Sequence, residues 1–407
     1  MILLVHPFGN ANVRALLRAF DDANLLAKFV TSFGHAESSA LAALLPPSAR
    51  RRGYDLPAWK IRIRPLRELV RLLAGPLGLS NLTKHERGWA SIDRVWQEVD
   101  ADAARYLRAR RESARIEVVY AYEDCALQSF QAARELGLRR VYDLPIAYWE
   151  TAQRLLREEA TRYPEWEPTL GGTRDSEDKL ARKTKELELA ELVVCPSNFV
   201  LESLPAGARS GKQCVVAPFG SPAACAPRAA REGGPLRVLF AGSLTQRKGL
   251  ADLFAATNLL DSRAVELVVM GSLLQPLEWY RARAPRFTYE PPRPHAEVLS
   301  LMQSCDVFVL PSLVEGRALV QQEAMACGLP LIATRNAGGE DLIDEGETGF
   351  LVPIRSPEVL AEKISWCASH RGRVSGMGIA AQRRAAELTW RSYGDSVRAA
   401  IQTLISA

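Results

Sequence analysis

Short apolar runs alternate with longer amphipathic stretches along nearly the whole of this chain, and that alternation leaves few folds open to it. A run such as Val307-Phe308-Val309-Leu310 has no polar face, so it suits a strand covered on both sides, and the amphipathic stretches between runs supply the cover. Successive strand-helix-strand units of this kind build parallel sheets. The candidate strands of the first half are Ile2 to Val5, Ala27 to Thr31, Lys60 to Ile63, Glu117 to Tyr122, Arg140 to Leu144, Leu192 to Cys195 and Gln213 to Ala217. Those of the second half are Leu236 to Phe240, Glu266 to Met270, Arg286 to Tyr289, Val307 to Leu310, Leu331 to Thr334 and Gly349 to Val352. Between the two sets, Pro218 to Pro235 is dense in Ala, Gly and Pro without apolar periodicity and reads as an interdomain linker. A chain of 407 residues is long enough for two substantial cores. The expectation is an α/β protein with two Rossmann-like, doubly wound parallel-sheet domains, at 1–217 and 235–386, joined by a linker at 218–234 and followed by a terminal segment at 387–407. Open sheets bind ligands in the crevice beyond their strand C-termini, so the residues just past those ends matter most.

Glu315 and Glu323 stand eight positions apart across the opening of a predicted helix. Glu315 falls in the loop after the strand at Val307 to Leu310. From Leu319 to Ala326 the residues are good helix formers, and Gly328 and Pro330 supply the stop. The amides of Gly316, Arg317, Ala318 and Leu319 therefore have no partner inside the helix, and the macrodipole adds roughly half a positive charge there. Such an end holds phosphate. A carboxylate beside phosphates is awkward unless it accepts hydrogen bonds from hydroxyls, which a ribose or a hexose offers. The pattern suits a nucleotide-sugar, but it also describes a loop Glu and a helix-surface Glu that never meet.

A second cluster lies upstream. Leu236 to Ala241 is strand-like, Gly242-Ser243 breaks it, and Arg247-Lys248-Gly249 precedes the amphipathic run Leu250, Leu253, Phe254. Two cations at a helix start oppose the dipole unless an anion lies between them, and a diphosphate is such an anion. A pair of solvent-facing charges after a turn is the plainer reading.

At this point the residues resemble a known family. Gly242 through Gly249, Val269-Met270-Gly271-Ser272, Asp306 through Ser312, Glu315 through Pro330 and Gly349 through Val352 look like the second domain of the retaining GT-B glycosyltransferases of family 4, the group 1 glycosyl transferases, and they occur in that family's order. The resemblance implies the GT-B arrangement of two such domains facing a central cleft, with the last helix crossing back onto the first domain. It also implies roles: Lys248 on the donor diphosphate, Glu315 on the transferred sugar, Glu323 on the ribose, the amides of Gly316 to Leu319 on the distal phosphate, and the backbone near Glu290 to Arg293 beside the base. Gly242, Ser243 and Gly271 fall in the donor-binding motifs. Two positions depart from the pattern. Family members often carry Arg where this chain has Ser243, for which Arg247 is the available substitute, and many carry Gly where it has Ala318.

The first domain is where a GT-B enzyme binds its acceptor. His6 through Asn12 is a strand-to-helix loop with Asn as N-cap, and it lacks G-x-G-x-x-G, which counts against a dinucleotide site. By resemblance this loop faces the cleft, so Gly9, Asn10 and Asn12 are expected to touch donor phosphate or acceptor. Glu123, Asp143 and Tyr148 follow predicted strands and end at the same crevice, with helix capping and aromatic packing as the alternative reading. From Arg50 to Arg71, eight basic side chains interleave with Trp59, Ile61, Ile63, Leu66, Leu69 and Val70, opposed only by Asp55 and Glu68. That segment suits an anionic lipid surface or an acidic acceptor, or else a solvated charged face. Glu158 to Glu191 carries opposite charges at helical spacing and reads as a solvent-washed surface.

The seven cysteines are odd in number, lack a C-x-x-C pair and read as buried thiols of a reducing compartment. The five histidines show no ligand spacing, so a metal-independent reaction without a cofactor is expected. A net charge of +5 is too slight to argue for nucleic-acid binding. There is no basic signal-like n-region, and no apolar stretch reaches the roughly 18 residues of a membrane span, so a cytoplasmic protein is expected, with the inner membrane surface as its one candidate lipid contact. The functional expectation is a retaining transferase that moves a hexosyl unit from a nucleoside-diphosphate sugar to a glycan, lipid or small molecule. A same-fold epimerase or hydrolase, and a silent nucleotide-sugar-binding protein, are the alternatives.

Overall fold

The computed structural model describes residues 1–37, 52–226, 233–284 and 286–406. Arg50 and Arg51 of the basic segment, and residues 227–232 of the linker, lie outside the described residues.

The chain opens with β1 (Ile2–Val5) and β2 (Leu26–Thr31), then a two-residue pair, β3 (His35–Ala36) with β4 (Gly53–Tyr54). There follow β5 (Ile61–Ile63), β6 (Val118–Tyr122), β7 (Arg139–Asp143), β8 (Leu192–Cys195) and β9 (Gln213–Val216). The second half contributes β10 (Leu236–Ala241), β11 (Val265–Met270), β12 (Thr288–Glu290), β13 (Val307–Leu310), β14 (Leu331–Thr334) and β15 (Gly349–Val352). Sheet one runs β5-β2-β1-β6-β7-β8-β9 and sheet two β12-β11-β10-β13-β14-β15. Neighbours in both are parallel. All the expected strands form, within two residues of their expected limits. The pair β3–β4 was not expected, because two residues leave no alternation to read.

Each sheet reverses its order beside its first strand, and the crevices sit there: between β1 and β6 in one domain, between β10 and β13 in the other. Of the strands that flank these points, β1 and β13 are buried from end to end, because helices cover both faces. The helix Ala11–Asp22 covers β1 through Val13, Leu16, Leu17 and Phe20, the spacing of a single apolar stripe. At roughly 1.5–3 kcal/mol per buried side chain, such stripes hold the helices in place.

Two straps tie the domains together. The helix Trp390–Ser406 inserts Tyr393, Val397, Ile401 and Leu404 into the first-domain core beside Val13, Leu17 and Phe20. In the opposite direction, Trp166 leaves the first domain and packs in the second-domain core against Phe254 and Tyr280, with ring centroids 5.9 and 6.0 Å away. Nothing in the sequence around Trp166 signals that crossing. Cys125, Cys195, Cys305, Cys327 and Cys367 are buried, while Cys214 and Cys225 are half-buried. No helix among the described residues is long and apolar enough to cross a membrane.

Candidate active site

The site begins where β10 and β11 end. Gly242 and Gly271 both have φ of 147°, and a Cβ on Gly271 would fall 1.7 Å from the Gly242 carbonyl oxygen, so the two strand ends close up only because Gly271 is glycine. A short turn of helix, Gln246–Lys248, follows; the Thr245 hydroxyl oxygen starts it by accepting from the Arg247 amide at 3.2 Å. This turn sends the Lys248 stem back under Gly242. Lys248 Nζ then donates to Glu315 Oε1 at 2.6 Å, and Arg247 Nη1 donates to the same oxygen at 2.9 Å and to the Val314 carbonyl at 2.7 Å. The loops after β10 and β13 therefore meet at one carboxylate. Burial pushes the Glu315 carboxyl up, but the Arg247 and Lys248 charges outweigh it and hold the group below its ordinary value. Burial pulls the Lys248 ammonium down, against the attraction of Glu315.

The helix Leu319–Ala326 opens just beyond. Ala318 takes the N-cap position without a side-chain cap, and the amides of Gly316, Arg317 and Ala318 donate no hydrogen bond among the described residues. Glu323 sits in the helix's second turn, where Oε1 meets His295 Nε2 at 3.0 Å. At the end of β12, Glu290 forms an ion pair with Arg293, and its carbonyl accepts from the Gly271 amide at 3.0 Å. Ser243 is exposed. The Arg317 guanidinium is buried and turned to the first domain, bonding the Pro196 carbonyl and the Asp341 carboxylate, each at 3.1 Å; burial pulls it down to about 10.

The first domain closes on this loop. A Cβ on Gly316 would lie 1.7 Å from the Pro145 carbonyl oxygen, so only glycine permits the approach. Ser197 Oγ donates to the Gly316 carbonyl at 2.7 Å, and the Ala147 amide donates to the Glu315 carbonyl at 3.3 Å. Beside this contact lies a cavity of about 380 Å³ walled by both domains, with Glu315, Gly316 and Arg317 on one side and Asp93, Trp96, Tyr122, Glu123, Asp124, Lys179 and Lys183 on the other. Its charges are paired internally. Lys179 Nζ is 3.0 Å from Asp93, Lys183 Nζ is 3.4 Å from Glu123, and just behind them Arg182 is 2.8 Å from Asp124. Burial pushes the Glu123 carboxyl up, with Lys183 opposing.

Of the acceptor-side candidates, only Glu123 lines that cavity. Tyr148 is a correction: it is buried, its amide donates to Ser203 Oγ at 2.8 Å and its hydroxyl to Thr184 at 3.3 Å, so it packs against the helix Glu177–Leu189. Asp143 is buried among Tyr120, Tyr122 and Tyr393, and burial raises its carboxyl to about 7. Asn12 is buried beside Tyr393, and Gly9 lies against the Tyr54 ring. Asn10 takes the N-cap position but makes no side-chain cap, contrary to expectation.

A second correction concerns the helix Glu177–Leu189, expected to be washed by solvent. Its Lys179, Arg182, Lys183 and Glu186 point inward, at the i, i+3, i+4, i+7 spacing of one face. Glu186 accepts from the amides of Asp124, Ala126 and Leu127 at 2.8, 3.1 and 3.1 Å, capping the helix Leu127–Glu135. The spacing is legible in the sequence, but charged residues on it have the composition of a wet face. His6 was also missed. Its Nδ1 accepts from the Phe8 amide at 3.0 Å and burial pulls it down to about 3, so it is neutral, with the proton on Nε2, and its ring lies tilted against Tyr122 with centroids 4.2 Å apart. His85, Glu86 and Asp175 gather donor atoms within 4.8 Å of one another, a grouping that sequence spacing does not reveal, and the Lys179 ammonium already bonds Asp175 at 3.0 Å.

Residues 235–370 match the model of the family described as glycosyl transferases group 1. The chain carries a group 1 glycosyl transferase domain on a GT-B fold. D-inositol 3-phosphate glycosyltransferase of Paenarthrobacter aurescens is 31% identical over 183 residues, covering 41% of this chain and 45% of that one. The enzyme of the same name from Corynebacterium diphtheriae is 34% identical over 114 residues, 28% of this chain and 27% of that one. The chain thus matches less than half the length of these curated relatives. Among solved GT-B structures, sucrose-phosphate synthase of Thermosynechococcus elongatus superposes with a TM-score of 0.67 at 18% identity, over 100% of this chain and 99% of that one. Anabaena HepE in complex with UDP-glucose superposes with a TM-score of 0.60 at 16% identity, over 100% and 99%.

Proposed function

We propose that this protein is a retaining hexosyltransferase that takes its sugar from a nucleoside diphosphate donor. The observation that carries the reading is the convergence of Lys248 and Arg247 on one Glu315 oxygen beside the open amides of a helix start. Two cations on one carboxylate leave positive charge in surplus, and a diphosphate is the anion that would use it. On donor binding the ammonium of Lys248 turns to the phosphate, and Glu315, released from one of its partners, accepts from a sugar hydroxyl. As the sugar–phosphate bond lengthens, charge grows on the departing phosphate, and fixed cations and amides stabilise it there more strongly than in the ground state. The ring becomes positive as this happens, and the Glu315 carboxylate favours it. Glu323 and its partner His295 are assigned to the ribose, and the Glu290 to Arg293 turn to the base. The positive charge comes from side chains and amides, so the reaction is expected to run without a metal or cofactor. UDP-glucose is the first donor to test, because HepE was solved with it.

The cavity at Glu123 is assigned to the acceptor. Its ammoniums and carboxylates offer hydrogen-bond donors and acceptors with no surplus of positive charge, which suits a hydroxyl-rich molecule, and the curated relatives are named D-inositol 3-phosphate glycosyltransferase. The test is incubation with UDP-, GDP- and ADP-sugars, with and without a panel of sugars and polyols. A product that forms only when acceptor is present, with the donor's anomeric configuration, is the expected result. Donor consumption without acceptor would instead indicate a hydrolase or epimerase, and donor binding without any product a silent binding protein.

A further inference from the structure

Of the fifteen large hydrophobic side chains exposed among the described residues, ten lie between positions 59 and 92. The helix Pro65–Ala74 is turned inside out. Its buried residues are Glu68 and Ala74, while Leu66, Leu69 and Leu73, at i, i+3 and i+7, are 62%, 39% and 57% exposed. Leu77 and Leu79 continue the stripe at 65% and 49%. A leucine stripe in water contributes nothing to folding, and contiguous exposed apolar surface marks a docking face.

Cations rim this stripe in excess. Glu68 is shared by Arg52 and Arg71, each at 2.7 Å; Asp102 is shared by Arg62, Arg64 and Arg105; Asp21 holds Lys60, and Glu98 holds Arg67 at 3.3 Å. Seven cations thus rest on four carboxylates. Residues 52–111 hold thirteen Lys and Arg against seven Asp and Glu, a surplus of six, whereas the whole chain nets +5. Trp59 is 66% exposed, and the Trp89 ring lies under Arg67 at 4.5 Å, rings of the type that settle at a lipid headgroup boundary.

We infer that the Pro65–Ala74 face docks on an anionic membrane, leucines in the acyl boundary and arginines among the headgroups. A second copy of the chain fits less well, because a two-fold contact would set one cationic rim against another. The patch also leads into the cleft. Ile92 is exposed at its edge and lines the interdomain cavity, and Trp96, another wall of that cavity, meets Phe8 edge-on at 5.9 Å, with Arg71 over the Phe8 ring. Docking would therefore bring the cavity mouth to the lipid surface.

The test is flotation of the full chain with phosphatidylcholine vesicles and with vesicles containing about 30% phosphatidylglycerol. The protein should float only with the anionic vesicles, and less at about 0.5 M NaCl. The variant Leu66→Ser/Leu69→Ser/Leu73→Ser should lose at least about tenfold in vesicle affinity while keeping its melting temperature. Absence of flotation, equal flotation with neutral vesicles, or flotation of the triple variant at the level of the parent would each overturn the assignment. So would a dimer in analytical ultracentrifugation that the triple variant dissociates while neither protein floats.

Discussion

Two buried charge clusters face each other across the cleft, and they are built on opposite principles. At Glu315 two cations converge on a single carboxylate oxygen beside undonated helix amides, so positive charge is left over. At Glu123, Asp124 and Asp93 the three cations of the helix Glu177–Leu189 are shared among four carboxylates, Asp175 being the fourth, so no positive charge is left over. The first arrangement waits for an anion. The second holds the first domain together and presents a polar wall without a spare cation. Mutations on the two sides should therefore fail in different ways.

The largest effect is expected from Lys248→Ala, which should lower kcat/KM by about 10²–10³ while circular dichroism and melting temperature stay near the parent's. Lys183→Ala should fail first in stability, with any loss of activity confined to the KM for acceptor. It strands Glu123 in the interior without its cation, at a cost of about 3 kcal/mol in denaturant unfolding. If both variants lost only activity, or both only stability, the distinction between the clusters would be gone.

Asp143 sharpens the comparison, since it is a buried carboxyl with no cation at all. Burial raises it to about 7 from an ordinary 3.8, so between those values the folded protein binds the proton and the unfolded chain does not. Its contribution to stability is complete below pH 3.8 and is lost as pH rises through 7. Asp143→Asn removes that loss, so the variant should gain on the parent by at least about 1 kcal/mol between pH 5 and pH 8. A constant difference across that range would show that Asp143 titrates normally. The smallest effect is expected from Ser243→Arg. It adds a guanidinium at an exposed position near the Lys248 turn and should lower the donor KM by about threefold. An unchanged KM would mean that Arg247 already fills the role.

Much of this was legible in the sequence. Runs such as Ile2 to Val5 and Val307 to Leu310 are apolar throughout because both faces of the sheet are covered, and a run of that kind admits few other readings. Glu315 and Lys248 could be found because each stands just past such a strand, next to Gly and Pro punctuation. What sequence could not give is the partner of each charge. Lys179 and Lys183 have the composition of a wet helix and the spacing of a buried face, and only the carboxylates arriving from the ends of other elements decide between the two. Asp143 ends β7 and Tyr148 follows it, as site residues do, yet both side chains are buried. The leucines at 66, 69 and 73 had the right spacing for a helix, but whether the stripe faces core or solvent depends on Glu68, which two arginines draw into the interior.

The central claim is that the Lys248–Glu315 junction is a diphosphate site. Calorimetric titration of UDP and GDP into the parent and into Lys248→Ala tests it most directly. The account predicts that one nucleotide binds the parent and binds the variant at least about tenfold more weakly, a loss of roughly 1.4 kcal/mol. Equal affinity in the two proteins, or a parent that binds neither nucleotide, would contradict it.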